Sequence, residues 1–95
     1  MRRLTAEDDL NDITQNGIYY FSTEDLPSNS FYQNASIVEV FGSASNTTQK
    51  IQRITRYGTP GQSSFRGLSA GDWLDWETYT MQSDIWDWGM ISRGK

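Results

Sequence analysis

Short hydrophobic runs alternate with turn-forming residues along most of the chain, and this pattern predicts strands. The runs are rich in β-branched and aromatic residues, which favour extended backbone, and glycine, asparagine, serine and proline separate them. Successive strands separated by short turns pair antiparallel. The predicted strands cover residues 17–22, 36–41, 49–57, 63–68 and 73–79, and the last reads either as a strand or as an irregular aromatic segment.

The first predicted strand is apolar on both faces. Ile18 and Tyr20 point to one side and Tyr19 and Phe21 to the other, because side chains alternate along a strand. A strand of this kind is usually covered on both sides. We therefore expect a short N-terminal helix to cover one side and a neighbouring chain to cover the other.

The segment before this strand predicts a short helix or a capped turn over residues 5–16. Thr5 suits an N-cap, and Leu10 and Ile13 are spaced to share one helix face. The predicted fold is mainly β with a minor helical part: a small antiparallel meander sheet of about four to five strands with a short N-terminal helix packed on it. We expect one domain over residues 1–80 and an apolar C-terminal tail over residues 81–95.

Composition narrows the classes of function. Leu, Ile, Val and Phe make up only 18 of the 95 residues, but 13 aromatic residues favour a thin folded core over disorder. Without cysteine or histidine, the chain has no disulfide, no thiolate zinc site and no usual general base. The net charge of −4 argues against nucleic-acid binding, and no apolar run is long enough to span a bilayer. We expect no metal and no cofactor.

A candidate ligand-binding surface surrounds the turn predicted at residues 58–61. Arginine stacks on aromatic rings and offers a fork to carboxylates or phosphates, so rings and arginines together suit an acidic glycan or a teichoic-acid-like polymer. The residues of this surface are Tyr57, Arg56 and Arg66, and Trp73 is a separate candidate ligand-binding residue. The alternative is that the arginines form ion pairs within the chain. The acids available for such pairs are Asp72, Asp75 and Glu77.

Two tryptophans occur three residues apart in the last predicted strand. In a continuous strand, Trp73 and Trp76 would point to opposite faces. We assign Trp76 to the core and Trp73 to the surface, where its ring would face a ligand or a partner.

The tail carries more large apolar side chains than a solvated segment needs. Tryptophan and methionine are enriched in the centres of protein interfaces. We therefore expect the tail to dock on a neighbouring copy or on another protein, the alternative being that it folds back on its own sheet. The residues expected in this interface are Trp86, Trp88, Met90 and Ile91.

Four motifs, taken in order, resemble the pyocin-knob family. They are D-L-N-D-I followed by G-I-Y-Y at residues 9–20, I-V-E-V-F-G at 37–42, the strand at 49–57 with S-F-R at 64–66, and D-W-L-D-W-E at 72–77. The resemblance covers about residues 9–79. That family forms small knob-like domains, generally in trimeric fibres, in R-type pyocins and bacteriophages.

The resemblance implies a structural and adhesive module of a bacteriophage virion, in a tail fibre, a baseplate or a capsid-decorating fibre. It further implies association with other virion proteins, a homo-oligomer (a trimer), and contact with host cell-surface glycan. Such a module presents a knob to the host or links virion components, and it is not an enzyme. The alternative is a stand-alone carbohydrate-binding module. A hydrolase fits poorly, since a meander of 95 residues offers little cleft for a pair of catalytic carboxylates.

Overall fold

A computed structural model describes residues 1–58 and 62–78, which form one β-sheet of seven strands. The strands are β1 (Arg2–Arg3), β2 (Gly17–Phe21), β3 (Ser36–Phe41), β4 (Lys50–Arg56), β5 (Ser63–Ser69), β6 (Asp72–Trp73) and β7 (Glu77–Thr78). The order across the sheet is β1-β2-β3-β4-β5-β6, and β7 pairs with β5. The predicted mainly β meander is confirmed. Its four long strands, β2 to β5, match predicted strands, whereas β1, β6 and β7 are two-residue additions.

The sheet is mixed rather than purely antiparallel. Strands β2 to β5 pair antiparallel in unbroken registers, but β1 pairs parallel with β2, Arg2 lying opposite Tyr19. Hairpins explain the antiparallel pairs, whereas a parallel pair needs a longer connection. Here residues 4–16 supply that connection and lead the chain back across the sheet. Within the described ranges, no helix is long and apolar enough to cross a membrane.

The predicted N-terminal helix is a single 3₁₀ turn, Leu10–Asp12. Asp9 caps this turn by accepting the backbone N–H of Asn11 at 2.9 Å. Thr5 is not the cap, and its own N–H is accepted by the Asp8 carboxylate at 2.8 Å. A longer helix does not form because the loop at Ser28 takes the backbone groups that it would need: Leu10 N–H donates to Ser28 O, and Ser28 N–H donates to Asp8 O.

The core lies on one face of the sheet, which we call the inner face. The N-terminal segment covers this face, with Leu26, Tyr32 and Trp76 packed around the edge of the cluster. Each fully buried aliphatic or aromatic side chain stabilises the fold by about 1.5–3 kcal/mol. The buried cluster consists of Leu4, Leu10, Ile13, Tyr19, Phe21, Val38, Val40 and Ile54.

The opposite, outer face is partly bare within the described chain, and the neighbouring chain expected to cover this side of β2 stays a prediction. Ile18 remains 47% exposed, so the described residues supply no second cover for this strand. The physical reason is that the sheet is a single layer, with its covering segment on the inner face alone. By register and alternation, the outer face carries Ile18, Tyr20, Ile37, Glu39, Phe41, Ile51, Arg53, Phe65 and Gly67.

The tight turn between β5 and β6 offers a test of backbone strain. Ala70 has φ +53° and Gly71 φ +90°, so both central residues are left-handed, as in a type I′ hairpin turn. Alanine is unfavourable in that conformation, whereas asparagine tolerates it. We expect Ala70→Asn to raise the free energy of unfolding by about 0.5–1 kcal/mol in urea denaturation. Ala44→Asn, in an exposed loop at negative φ, should change it little, and equal effects at both positions would contradict the explanation.

Candidate functional site

The most distinctive side-chain arrangement of the inner face is a buried arginine between two tryptophans. Arg66, on β5, is 6% exposed. Its guanidinium carbon lies 4.1 Å from the ring centroid of Trp73 and 4.6 Å from that of Trp76. The planar guanidinium can stack on both rings, and cation–π attraction strengthens when water is excluded. The two rings thus enclose a positive charge in the edge of the core.

A buried glutamine anchors this arginine and the 3₁₀ turn together. Arg66 Nε donates to Gln52 Oε1 at 3.0 Å, across the β4–β5 pair. Gln52 Nε2 donates in turn to the carbonyl oxygens of Leu10 and Ile13, at 2.7 and 2.9 Å. Trp73 Nε1 donates to Asn11 O at 3.0 Å. The turn, two central strands and the aromatic segment are therefore held by one polar network inside an apolar layer.

The electrostatics of this network follow from burial and from one nearby acid. Burial lowers the pKa of Arg66 to about 10, and the attraction of Asp9 acts in the opposite direction. Even so, the guanidinium stays charged at neutral pH. The pKa of Asp9 lies below its ordinary value, because its carboxylate accepts hydrogen bonds from the Asn29 side chain and the Asn11 backbone, with a smaller contribution from Arg66.

We expect the pKa of Asp9 to rise towards its ordinary value in Asn29→Gly. The substitution removes the 2.7 Å bond from Asn29 Nδ2 to Asp9 Oδ1, and glycine tolerates the φ of +63° at this position. A lowered folded-state pKa stabilises the fold above the pKa of the unfolded chain, and that stabilisation is lost as the pH falls through the folded value. The measurement is an NMR titration of the Asp9 carboxyl carbon. Asn34→Gly is the control, and an unchanged Asp9 titration in Asn29→Gly would contradict the assignment.

The expectation that Trp73 and Trp76 face opposite sides is wrong. Both rings lie against the same guanidinium, and both are half-buried. The physical reason is that the strand is interrupted between β6 and β7, at residues 74–76, so the alternation of a continuous strand does not apply. Trp76 packs against the core cluster as predicted.

The aromatic cluster continues from Trp76 to the second arginine of the predicted ligand surface. The Phe31 and Trp76 ring centroids are 5.9 Å apart, and those of Phe31 and Tyr32 are 5.0 Å apart. Arg56 lies 5.9 Å above the Tyr32 ring, and its Nη1 donates to Gln62 Oε1 at 2.8 Å. The Tyr32 hydroxyl is hydrogen-bonded to Ser64 Oγ at 2.8 Å.

Of the four predicted ligand-binding residues, two are therefore held inside the protein's own contacts. Arg66 is buried, and Trp73 packs on it. Arg56 is half-buried, whereas Tyr57 is 51% exposed. Their binding to a ligand stays a prediction. Among the described residues, neither Arg56 nor Arg66 forms an ion pair with Asp72, Asp75 or Glu77, so the alternative expected for them is not what holds them.

A second candidate site is a groove at one end of the outer face, which we call the end groove. It has a volume of about 400 Å³ and is mainly apolar. Phe41, Ile51 and Gly67 lie side by side on β3, β4 and β5 and form its floor. Because Gly67 has no side chain, the floor is open there. The groove is lined by Phe41, Gly42, Gln49, Lys50, Ile51, Gly67, Leu68 and Ser69.

The predicted interface of the C-terminal tail lies outside the described residues. The expected interface residues Trp86, Trp88, Met90 and Ile91 fall in residues 79–95, which are not described, and so does most of the turn predicted at 58–61. In residues 1–58 and 62–78, no three acidic side chains cluster as a metal site would require.

With this geometry, the fold is that of an R-type pyocin fibre segment. Two solved structures of Pseudomonas aeruginosa pyocin fibres share it. The R1 pyocin fibre matches over 86% of this chain with a TM-score of 0.72 and 14% sequence identity. The R2 pyocin fibre matches over 98% of this chain with a TM-score of 0.73 and 17% identity. No protein-family model and no curated protein matches the sequence.

The likeness confirms the resemblance inferred from the motifs at the level of the fold. This chain spans only 22% and 26% of the two fibre chains that it matches. It therefore corresponds in extent to one part of such a fibre, and the activity and partners of a whole fibre remain proposals for it.

Sequence reasoning missed Gln52 as the centre of the network and Asp9 as its acidic neighbour. A signal for Gln52 was present in the sequence. It lies two residues before Ile54 in the same strand, so both side chains point to the core. A polar residue at such a position must find buried partners. Asp9 gave no comparable signal, because it comes close to Arg66 only when the chain folds.

Proposed function

We propose that this chain is a structural module of a bacteriophage-type particle, built into a tail fibre, a baseplate or a capsid-decorating fibre. The observation that carries the proposal is the fold, which nearly the whole chain shares with segments of two pyocin fibres. The role is non-enzymatic: the module links particle components or presents a knob to the host surface. Its place is in the virion, among other virion proteins.

The proposal includes assembly into a homo-oligomer, specifically a trimer. It is supported by the partly bare outer face, where Ile18, Phe41 and Ile51 are between 42% and 47% exposed. Large apolar side chains grouped on one surface are typical of protein–protein contacts. A module that stood alone would leave this surface in water.

Immunogold electron microscopy tests the proposed place in a particle. Antibodies raised against the purified chain should label particles purified from a bacterium that carries its gene, at fibres, baseplate or head surface. Antibody from the same animal before immunisation is the control. Label confined to the soluble fraction, with none on intact particles, would overturn the proposal.

A second candidate function is binding of host cell-surface glycan. It is supported by Tyr57, a 51% exposed ring beside Arg56 at the end of β4, which offers a stacking face next to a cation. Trp73 adds a half-exposed ring, although one side of it lies against Arg66.

Glycan arrays and isolated host cell wall test this second function. Saturable binding that Tyr57→Ala abolishes and Tyr20→Ala spares would support it, since Tyr20 lies on the outer face. The same comparison applies to Trp73→Ala, whose folding must first be checked by near-ultraviolet circular dichroism. Absence of binding to any glycan, or equal loss in Tyr57→Ala and Tyr20→Ala, would reject it.

A further inference from the structure

The end groove is apolar, open and exposed at one end of the outer face. Phe41 is 45% exposed, Ile51 42% and Leu74 60%. Leu74 lies next to the groove at Gly67, because its Cδ1 lies 3.9 Å from where a Cβ on Gly67 would stand. Apolar side chains exposed in one continuous group are unusual on a monomeric protein and indicate a binding surface.

The charged groups next to the groove are already engaged. Lys50 is buried, and its Nζ donates to Asn16 Oδ1 at 2.8 Å and to Ser43 O at 2.5 Å. In the neighbouring row of the outer face, Arg53 pairs with Glu39 at 2.7 Å. A charged partner would therefore find no free opposite charge in the groove, whereas an apolar segment could bind there without burying an unpaired polar group.

We propose that the end groove binds residues 85–91 of a second copy of this chain. The inference deepens the proposed function, on which it rests, by naming a partner for one surface of the module. The sequence of the segment is I-W-D-W-G-M-I, which carries one charge in seven residues. Bound as an extended segment, it would place Trp86, Trp88 and Met90 on one side, because side chains at alternate positions share a face.

The direction of β7 favours binding of the segment to a second copy rather than to the same chain. Glu77 lies opposite Phe65 and Thr78 opposite Ser64, so β7 runs towards the start of β5. The end groove lies at the other end of that strand, at Gly67 and Leu68. The chain therefore leaves the described sheet heading away from its own groove. A copy placed beyond that end could present its groove to the departing segment.

Such contacts join two different surfaces, so two complementary defects distinguish them from other arrangements. The groove variant is Ile51→Lys, which places a charge on the floor. The segment variant is Trp86→Asp combined with Trp88→Asp. Asn34→Lys is the matched control, since it adds the same charge at an exposed loop position away from both the groove and the outer face. Leu74→Lys serves as a second groove variant, and circular dichroism checks that every variant is folded.

Sedimentation velocity of the full chain over a range of concentrations tests the proposal. We expect the unmodified chain and Asn34→Lys to self-associate, and each defective variant to associate at least about tenfold more weakly. An equimolar mixture of groove variant and segment variant should form pairs of one to one, because only one intact groove meets one intact segment.

Each other outcome overturns the proposal. If the mixture stays monomeric while the unmodified chain associates, the two defects do not complement each other as a groove-to-segment contact requires. If the segment variant associates normally, something other than residues 85–91 occupies the groove. If the unmodified chain is monomeric throughout while antibodies label intact particles, this inference fails and the proposed function stands.

Discussion

Replacing Gln52 by leucine is expected to lower the free energy of unfolding by about 3–5 kcal/mol. Gln52 is fully buried, and its amide makes three hydrogen bonds: two to the carbonyl oxygens of Leu10 and Ile13, and one from Arg66 Nε. Leucine nearly keeps the volume but makes none of them. Each buried polar group left without a partner costs about 1–3 kcal/mol. Urea denaturation followed by tryptophan fluorescence measures the change.

A second substitution at the same position separates hydrogen bonding from packing. Gln52→Glu keeps the acceptor for Arg66 but places a carboxylate oxygen beside two carbonyl oxygens. We expect it to be destabilising at neutral pH and to recover part of its stability at acidic pH, where the carboxyl is protonated and can donate. Gln62→Leu is the matched control, because Gln62 also accepts from an arginine but is exposed. A cost below about 1 kcal/mol for Gln52→Leu would show that the network adds little to stability.

Replacing Arg66 by lysine is expected to lower the free energy of unfolding by about 2–4 kcal/mol. Lysine retains the charge but loses the flat group that lies between Trp73 and Trp76, and its ammonium cannot stack on both rings. It also loses the Nε–H that Gln52 accepts. Denaturation at neutral pH measures the cost, and the tryptophan emission should shift because two rings lose their neighbour.

Methionine at the same position is the informative comparison. In the described structure, Arg66 Nη2 is buried without a hydrogen-bond partner, so part of the charge is poorly compensated. An apolar side chain of similar length avoids that cost and can still fill the space between the rings. We therefore expect Arg66→Met to be more stable than Arg66→Lys. The reverse order would mean that the charge itself, rather than the shape of the guanidinium, stabilises the arrangement.

The central strands were predictable because their signals are local. The strand at 36–41 was predicted with the bounds that the structure gives to β3, since Ile37, Val38 and Val40 favour extended backbone and serine and glycine flank the run. Buried and exposed positions also alternate along it. The N-terminal helix was overestimated because the competing partner of its backbone, Ser28, lies on a distant loop.

Only the residue types of the candidate site could be predicted, not the contacts between them. Arginine and tryptophan were recognised as partners by type, but which ring meets which arginine depends on the break between β6 and β7. That break follows from the pairing of both short strands with β5, which is a tertiary contact. What covers the outer face could not be predicted for a similar reason. An apolar residue such as Ile18 shows in the sequence that it can be buried, but not what buries it.

The parallel pairing of β1 has a consequence for how such modules can be joined. Strand β1 runs in the same direction as β2, and the alternation from β2 to β5 gives β7 that direction too. The first strand, β1, and the last strand, β7, therefore run in the same direction. Modules of this fold joined in tandem would therefore follow one another along a single axis, and the linker between two modules would not have to reverse the direction of the chain.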